Sequence, residues 1–205
     1  PVTVNIMSTP NKKDDDLLYD LERTIKATRN LPNVDTYQLN ISCPNTHTSG
    51  RDSRIEYQKL LGIMLGVVRV NMPLLCGLEV KLSPDMTQEE VNDTIDVIKD
   101  HRKVKGLVTS NTTRIHNSAY IPSSPGKGGA SGDAVYETSY IVQKMVQEKL
   151  KQDNLSLYIR ACGGIKSAFR ARERVSSGEE RVKGIELLTP LVMIGPKVIR
   201  ELRAA

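Results

Sequence analysis

Six short β-branched runs alternate with six longer amphipathic segments along these 205 residues, and that alternation restricts the fold more than any other feature. The spacing predicts strands at Val2 to Met7, Thr36 to Ile41, Gly77 to Leu82, Gly106 to Ser110, Leu155 to Ala161 and Gly184 to Leu188. Most of these read as continuous apolar runs, the pattern of strands buried on both faces. Helices are predicted near Asp15 to Thr28, Ile55 to Val70, Gln88 to Lys99, Tyr136 to Lys151, Ala168 to Ser176 and Pro196 to Arg203. Thr87 with Glu90 three residues on forms a capping box, and Pro196 sits where a first-turn proline is tolerated. Strict alternation implies a parallel sheet with right-handed crossovers, hence an open doubly wound sheet or a (β/α) barrel. No composition break divides the chain, so residues 1–205 are expected to form a single domain.

Both architectures place ligands beyond the carboxyl ends of the strands. Those positions hold Asn5; Asn40, Cys43, Asn45 and Thr46; Lys81 and Ser83; Ser110, Asn111, Thr112 and Thr113; Cys162, Gly163 and Gly164; and Thr189. Amides and hydroxyls suit a planar heterocycle rich in donors and acceptors, and a lysine ending an apolar strand supplies positive charge where electron density accumulates. Gly163-Gly164 opening a helix has the form of a phosphate nest. Each feature has a plain alternative: a Gly-Gly turn, a solvated rim lysine, a turn asparagine, or, for Asn40 to Thr46, an ordinary strand-to-helix loop. Their coincidence on one rim favours a site.

A content of 39% hydrophobic and 26% charged residues fits one substantial core and argues against a disordered chain. The net charge of +5 suits an anionic ligand or a polyanion without selecting one. Cys43, Cys76 and Cys162 are widely spaced and form no C-x-x-C pattern, which points to a reducing compartment and to no metal. No apolar run approaches the roughly 20 residues of a membrane span, and Pro1-Val2-Thr3-Val4 reads as a strand start and not a signal peptide. The segment from Arg114 to Val135, rich in Ser, Pro and Gly, exceeds ordinary loop lengths and reads as a lid or phosphate-side loop, or else a surface insertion.

Seven segments together resemble the dihydroorotate dehydrogenase family of FMN-dependent (β/α)8 TIM-barrel enzymes. They are Val4-Asn5-Ile6; Asn40-Ile41-Ser42-Cys43-Pro44-Asn45-Thr46; Val80-Lys81-Leu82-Ser83-Pro84-Asp85-Met86-Thr87; Thr109-Ser110-Asn111-Thr112-Thr113; Gly128-Gly129-Ala130-Ser131-Gly132; Cys162-Gly163-Gly164-Ile165; and Leu188-Thr189-Pro190-Leu191 with Gly195-Pro196. The resemblance covers almost the whole chain. It implies about six βα units of the barrel, beginning at what resembles the family's third strand. Either the chain is a fragment, or a homo-oligomer or partner chain completes the barrel.

The resemblance further implies oxidation of (S)-dihydroorotate to orotate in pyrimidine biosynthesis, the C5 proton going to Cys43 and the C6 hydride to flavin N5. Lys81 would sit near flavin N1 and O2 and supply the field that activates the thiol. Asn40, Asn45, Thr46, Asn111 and Thr112 would contact the substrate. Asn5, Asn40, Lys81, Asn111, Ser131, Gly132, Gly163, Gly164, Leu188 and Thr189 would bind FMN. The pattern is closest to the membrane-associated, quinone-reducing class, in which the base is serine, whereas a cysteine there is typical of the soluble class. The acceptor is therefore open among quinone, fumarate and NAD. A cytoplasmic location is expected, any membrane association residing in segments outside this chain. Two other readings stand beside this one: a tRNA-dihydrouridine synthase, although no RNA-binding motif is apparent and no nucleic acid is expected, and a catalytically silent structural or binding subunit.

Overall fold

Most strands carry apolar residues on the face that meets the helices and polar residues on the other, a two-residue period that organises the molecule. The computed structural model describes residues 2–9, 12, 14–41, 54–115, 128–177 and 180–203. Its strands are β1 (Val2–Ile6), β2 (Val34–Asn40), β3 (Gly77–Lys81), β4 (Val104–Thr109), β5 (Tyr158–Cys162) and β6 (Val182–Glu186). They form one sheet in the order β1-β2-β3-β4-β5-β6, every neighbouring pair parallel. Helices α1 (Asp14–Thr28), α2 (Arg54–Asn71), α3 (Gln88–Ile98), α4 (Tyr136–Gln152), α5 (Ala168–Ser176), α6 (Thr189–Ile194) and α7 (Lys197–Arg203) follow the strands.

The helices cover the apolar face. Leu17, Leu21 and Ile25 on α1, Leu61 and Leu65 on α2, Val91 and Ile95 on α3, and Val142, Val146 and Leu150 on α4 recur at helical spacing and are buried. They join Ile6, Tyr37, Leu39, Leu78, Val80, Leu107 and Ile159 of the strands in one core. The capping box opens α3 as its sequence predicts: Thr87 Oγ1 accepts from the Glu90 amide at 3.3 Å, and Glu90 Oε2 accepts from the Thr87 amide at 2.8 Å.

The opposite face corrects the expectation of strands apolar on both sides. Register places Asn5, Gln38 and Glu79 in one row, Asn40 with Lys81 and Val108 with Arg160 in the next, and Cys162 with Glu186 nearer the rim. Glu79, fully buried, accepts from Arg160 Nε and from the Tyr158 hydroxyl, both at 2.6 Å, and from Gln38 Nε2 at 3.3 Å. Burial and the neighbouring Glu79 carboxylate push the Tyr158 phenol up to about 12, so it remains a donor at neutral pH. Gly106 makes room for that ring: a Cβ there would lie 2.4 Å from the nearest Tyr158 ring carbon.

Long-range contacts show that the sheet is strongly curled. Gln38 Nε2 on β2 donates to Glu186 Oε1 on β6 at 2.5 Å, although four strand steps separate them. Strands about 4.8 Å apart would put those two about 19 Å apart in a flat sheet, beyond the combined reach of the side chains. The six strands therefore form a curled half-barrel with the polar network on its concave side.

Element boundaries differ from the sequence reading in three informative places. The strand expected from Leu155 begins at Tyr158, because Asn154 at φ 52° ends α4 in the left-handed conformation and the Leu155 amide turns back to the Leu150 carbonyl at 2.9 Å. The last strand ends at Glu186, not Leu188, and Thr189 opens the unpredicted helix α6 with Pro190 in its first turn. Gly195 at φ 82° separates α6 from α7, so Pro196 precedes α7.

The buried carboxylate yields a test of this architecture. Arg160→Met should cost about 3 kcal/mol, because Glu79 then keeps hydrogen bonds but loses its ion partner. Adding Glu79→Leu should recover most of that loss. Chemical denaturation of the full-length protein and its two variants measures both effects.

Candidate active site

The carboxyl ends of β3, β4, β5 and β6 enclose a cleft of about 90 Å³, whose walls include Lys81, Ser110, Asn111, Thr112, Ser131, Gly132, Cys162, Gly163, Gly164, Glu186, Leu188 and Thr189. Parallel strands bring these residues to one edge although up to 108 positions separate Lys81 from Thr189 along the chain. Most of the predicted site residues within the described part of the protein thus converge. Cys43, Asn45 and Thr46 lie outside the described residues.

Polar contacts tie the cleft together. Asn111 Nδ2 donates to Asn40 Oδ1 at 3.0 Å, while Asn111 Oδ1 accepts from the Thr112 amide at 2.9 Å. The Asn111 backbone amide reaches the Leu82 carbonyl at 2.9 Å and the Ser110 amide reaches the Cys162 carbonyl at 2.9 Å, so the segment after β4 is fixed to both neighbouring strands. Asn40 itself faces a second, smaller recess with Ser8, Ile41, Tyr57, Leu60, Leu61 and Met64. Asn5 lies away from the cleft walls, its amide donating to Gln38 Oε1 at 2.6 Å.

Lys81 is engaged by a residue that the sequence reading passed over. Its Nζ lies 3.1 Å from Glu186 Oε2, with both side chains largely buried. Glu186 falls within the predicted last strand, and the signal that could have singled it out is its inward position beside Cys162 on the polar face.

The glycine turn is equally constrained. Gly132, Gly163 and Gly164 have φ of 69°, 106° and 66°, conformations that cost a side-chain-bearing residue strain. A Cβ on Gly164 would approach the Gly132 carbonyl oxygen to 2.6 Å and Tyr136 Cβ to 2.7 Å. Behind this turn lies Arg174 of α5, fully buried. Its guanidinium donates to Ser139 Oγ at 2.9 Å, to the Thr109 carbonyl at 2.8 Å, and through Nε to Gln143 Oε1 at 2.6 Å. Burial lowers its pKa to about 10, which leaves it cationic at neutral pH. In front, Lys166 and Arg170 each reach Asp133 at 2.6 Å, and the Lys166 hydrogen bond foremost holds that carboxyl below its ordinary range. Thr189 Oγ1 donates to Ser131 Oγ at 2.9 Å across the cleft.

Cysteines separate by environment. Burial raises the Cys162 thiol, so it is protonated near neutral pH although it lines the cleft. Burial also raises Cys76, whose Sγ donates to the Val34 carbonyl at 3.2 Å far from the rim. The segment expected to act as a lid is closed at its base by an antiparallel bridge, Thr113 to the Ala130 carbonyl at 3.0 Å and Ala130 to the Thr113 carbonyl at 2.8 Å. Residues 116–127 of that segment lie outside the described residues. Among the described residues no group of acidic, histidine and cysteine side chains is placed to hold a metal, and no helix is long and apolar enough to cross a membrane.

The glycine turn yields the prediction of this geometry. Gly164→Ala should destabilise the full-length protein by about 1–3 kcal/mol through backbone strain and contact with Gly132 and Tyr136. Gly195→Ala, whose Cβ would meet open space, should lose only the strain of its φ of 82°. Thermal melts of the two variants make the comparison.

Comparison with known proteins agrees with this geometry. The family model described as dihydroorotate dehydrogenase matches residues 1–205. A dihydroorotate dehydrogenase (quinone) of Natronomonas pharaonis is 29% identical over 203 residues, covering 98% of this chain and 53% of that protein. The protein of the same name from Brucella ovis is 30% identical over 201 residues, covering 95% of this chain and 52% of that one. The chain spans about half the length of the curated relatives it matches. Among solved structures, ligand-free DHODH from Eimeria tenella superposes with a TM-score of 0.79 at 25% identity, covering 98% of this chain and 57% of that one. Its complex with ferulenol gives 0.77 at 24% identity, covering 98% and 55%, and speaks to the fold alone. The partial TIM barrel is thus as expected, and neither the tRNA-dihydrouridine synthase reading nor the silent-subunit reading is favoured. Because the family model matches residues 1–205, the whole of the sequence, this chain belongs to the dihydroorotate dehydrogenase family.

Proposed function

We propose that this chain contributes the FMN-binding and substrate-binding rim of an enzyme that oxidises (S)-dihydroorotate to orotate. The observation that carries the reading is the convergence, in a chain of this family, of Lys81, the Asn40–Asn111 pair and the Gly163-Gly164 turn at the carboxyl ends of adjacent parallel strands. The donor set fits a flavin mononucleotide: a cation and amides for the ring, glycine backbone and hydroxyls for the phosphate.

When bound, FMN supplies the acceptor for the hydride that leaves substrate C6. The protein does the rest. Cys43 Sγ takes the C5 proton, and its thiol, with an ordinary pKa of about 8.5, needs a positive field to do so at neutral pH. Lys81 supplies that field and stabilises negative charge as it accumulates on the ring. Asn40 and Asn111 hold one another's amides in fixed orientation and, with Asn45, Thr46 and Thr112, orient the substrate ring and carboxylate. Gly132, Gly163 and Gly164 turn backbone toward the phosphate, flanked by the Ser131–Thr189 hydroxyl pair and Leu188, while buried Arg174 fixes the turn from behind. Asn5 acts at one remove through Gln38. The names of the curated relatives support a quinone as acceptor, over fumarate or NAD.

The proton step is tested by stopped-flow reduction of bound flavin by dihydroorotate in the full-length protein. Cys43→Ala should slow reduction about 10²–10⁴-fold while FMN remains bound. Cys43→Ser should keep measurable activity with its pH optimum moved upward, an alcohol being a weaker acid than a thiol. An alanine variant that reduces flavin at the parental rate removes Cys43 from the mechanism.

A further inference from the structure

The rim lysine is only half of a charged unit. Glu186, at the end of β6, presents Oε2 to Lys81 Nζ at 3.1 Å while its Oε1 accepts from Gln38 Nε2 at 2.5 Å. Gln38 is fixed in turn by Asn5, whose amide donates to its Oε1 at 2.6 Å. The carboxylate is therefore held at both oxygens, and these hydrogen bonds across the concave face orient it toward Lys81. The side chains of Lys81 and Glu186 are 14% and 26% exposed, so solvent screens the pair only in part. Both residues line the same cleft.

A ligand in that cleft meets a lysine and a carboxylate together, which sum to zero charge. Two-electron reduction of FMN to its anionic form adds one negative charge to the ring. A lone Lys81 would favour the reduced form strongly; a Lys81 paired with Glu186 favours it less. We propose that Glu186 tunes this site's preference for reduced over oxidised flavin by offsetting the charge of Lys81, acting as a positioning and charge-balancing residue that need not touch the substrate. The inference rests on the FMN reading above and extends it to a residue outside the predicted site. Gln38 and Asn5 then have a purpose on the concave face: they hold the carboxylate at the rim.

The test is the midpoint potential of FMN bound to the full-length protein, with thermal melts alongside. Glu186→Gln keeps the shape and removes the charge, and should raise the preference for reduced flavin about tenfold, equivalent to about 30 mV upward for a two-electron couple. Glu186→Asp retains the charge and should stay near the parental potential. Lys81→Gln should move the potential downward, and the double substitution, again with zero net charge, should return toward the parental value. If Glu186→Gln fails to fold, the double variant, which leaves no unpaired charge, carries the same comparison against Lys81→Gln. A parental protein that binds no FMN overturns the cofactor reading and this inference with it. Bound flavin whose potential is unmoved by Glu186→Gln, or a double variant that matches Lys81→Gln, overturns the tuning role alone.

Discussion

A carboxylate with no exposure to water sits on the concave face of the sheet, and the concave side is organised around it. Glu79 is held by Arg160, Tyr158 and Gln38, drawn from β5 and β2 on either side of its own strand. An unpaired charge at that depth would be costly, and three donors within hydrogen-bond reach offset the cost only if the strands curl toward one another. Gly106 removes the Cβ that would block the Tyr158 ring, and the same network continues through Gln38 to Glu186 and Lys81. Curvature, interior polarity and the charge state of the rim are thus coupled.

That coupling explains why the chemistry collects where it does. The apolar faces of the strands are committed to the helices, so polar side chains face the concave side, and the last inward residues of β3 and β6 are Lys81 and Glu186. Beyond them the chain must turn toward helices, and the positive-φ glycines at 132, 163 and 164 bring backbone close to the cleft. Arg174 holds this turn against α4 through Ser139 and Gln143.

Much of this was legible in the residues. Alternating periods revealed the parallel sheet, the strand-end positions collected Lys81, Asn111, Gly163, Gly164 and Thr189, and the capping box fixed the start of α3. The concave network was not legible, because Gln38, Glu79, Arg160 and Glu186 stand alone among apolar neighbours in separate strands. Only the register shows that they share a face. The assumption of strands buried among apolar groups on both sides also concealed Glu186 as the partner of Lys81. Helix α6 was missed because Thr189-Pro190 reads as loop punctuation, although proline in a first helical turn costs no internal hydrogen bond.

On the proposed function, the rim of this half-barrel holds FMN with its ring toward Lys81 and its phosphate toward the glycine turn. A crystal structure of the full-length protein grown with FMN tests it most directly. We expect the isoalloxazine N1–O2 edge within hydrogen-bond distance of Lys81 Nζ and the phosphate against the backbone of Gly163 and Gly164. Flavin density elsewhere in the protein, or a phosphate seated away from that turn, would contradict it.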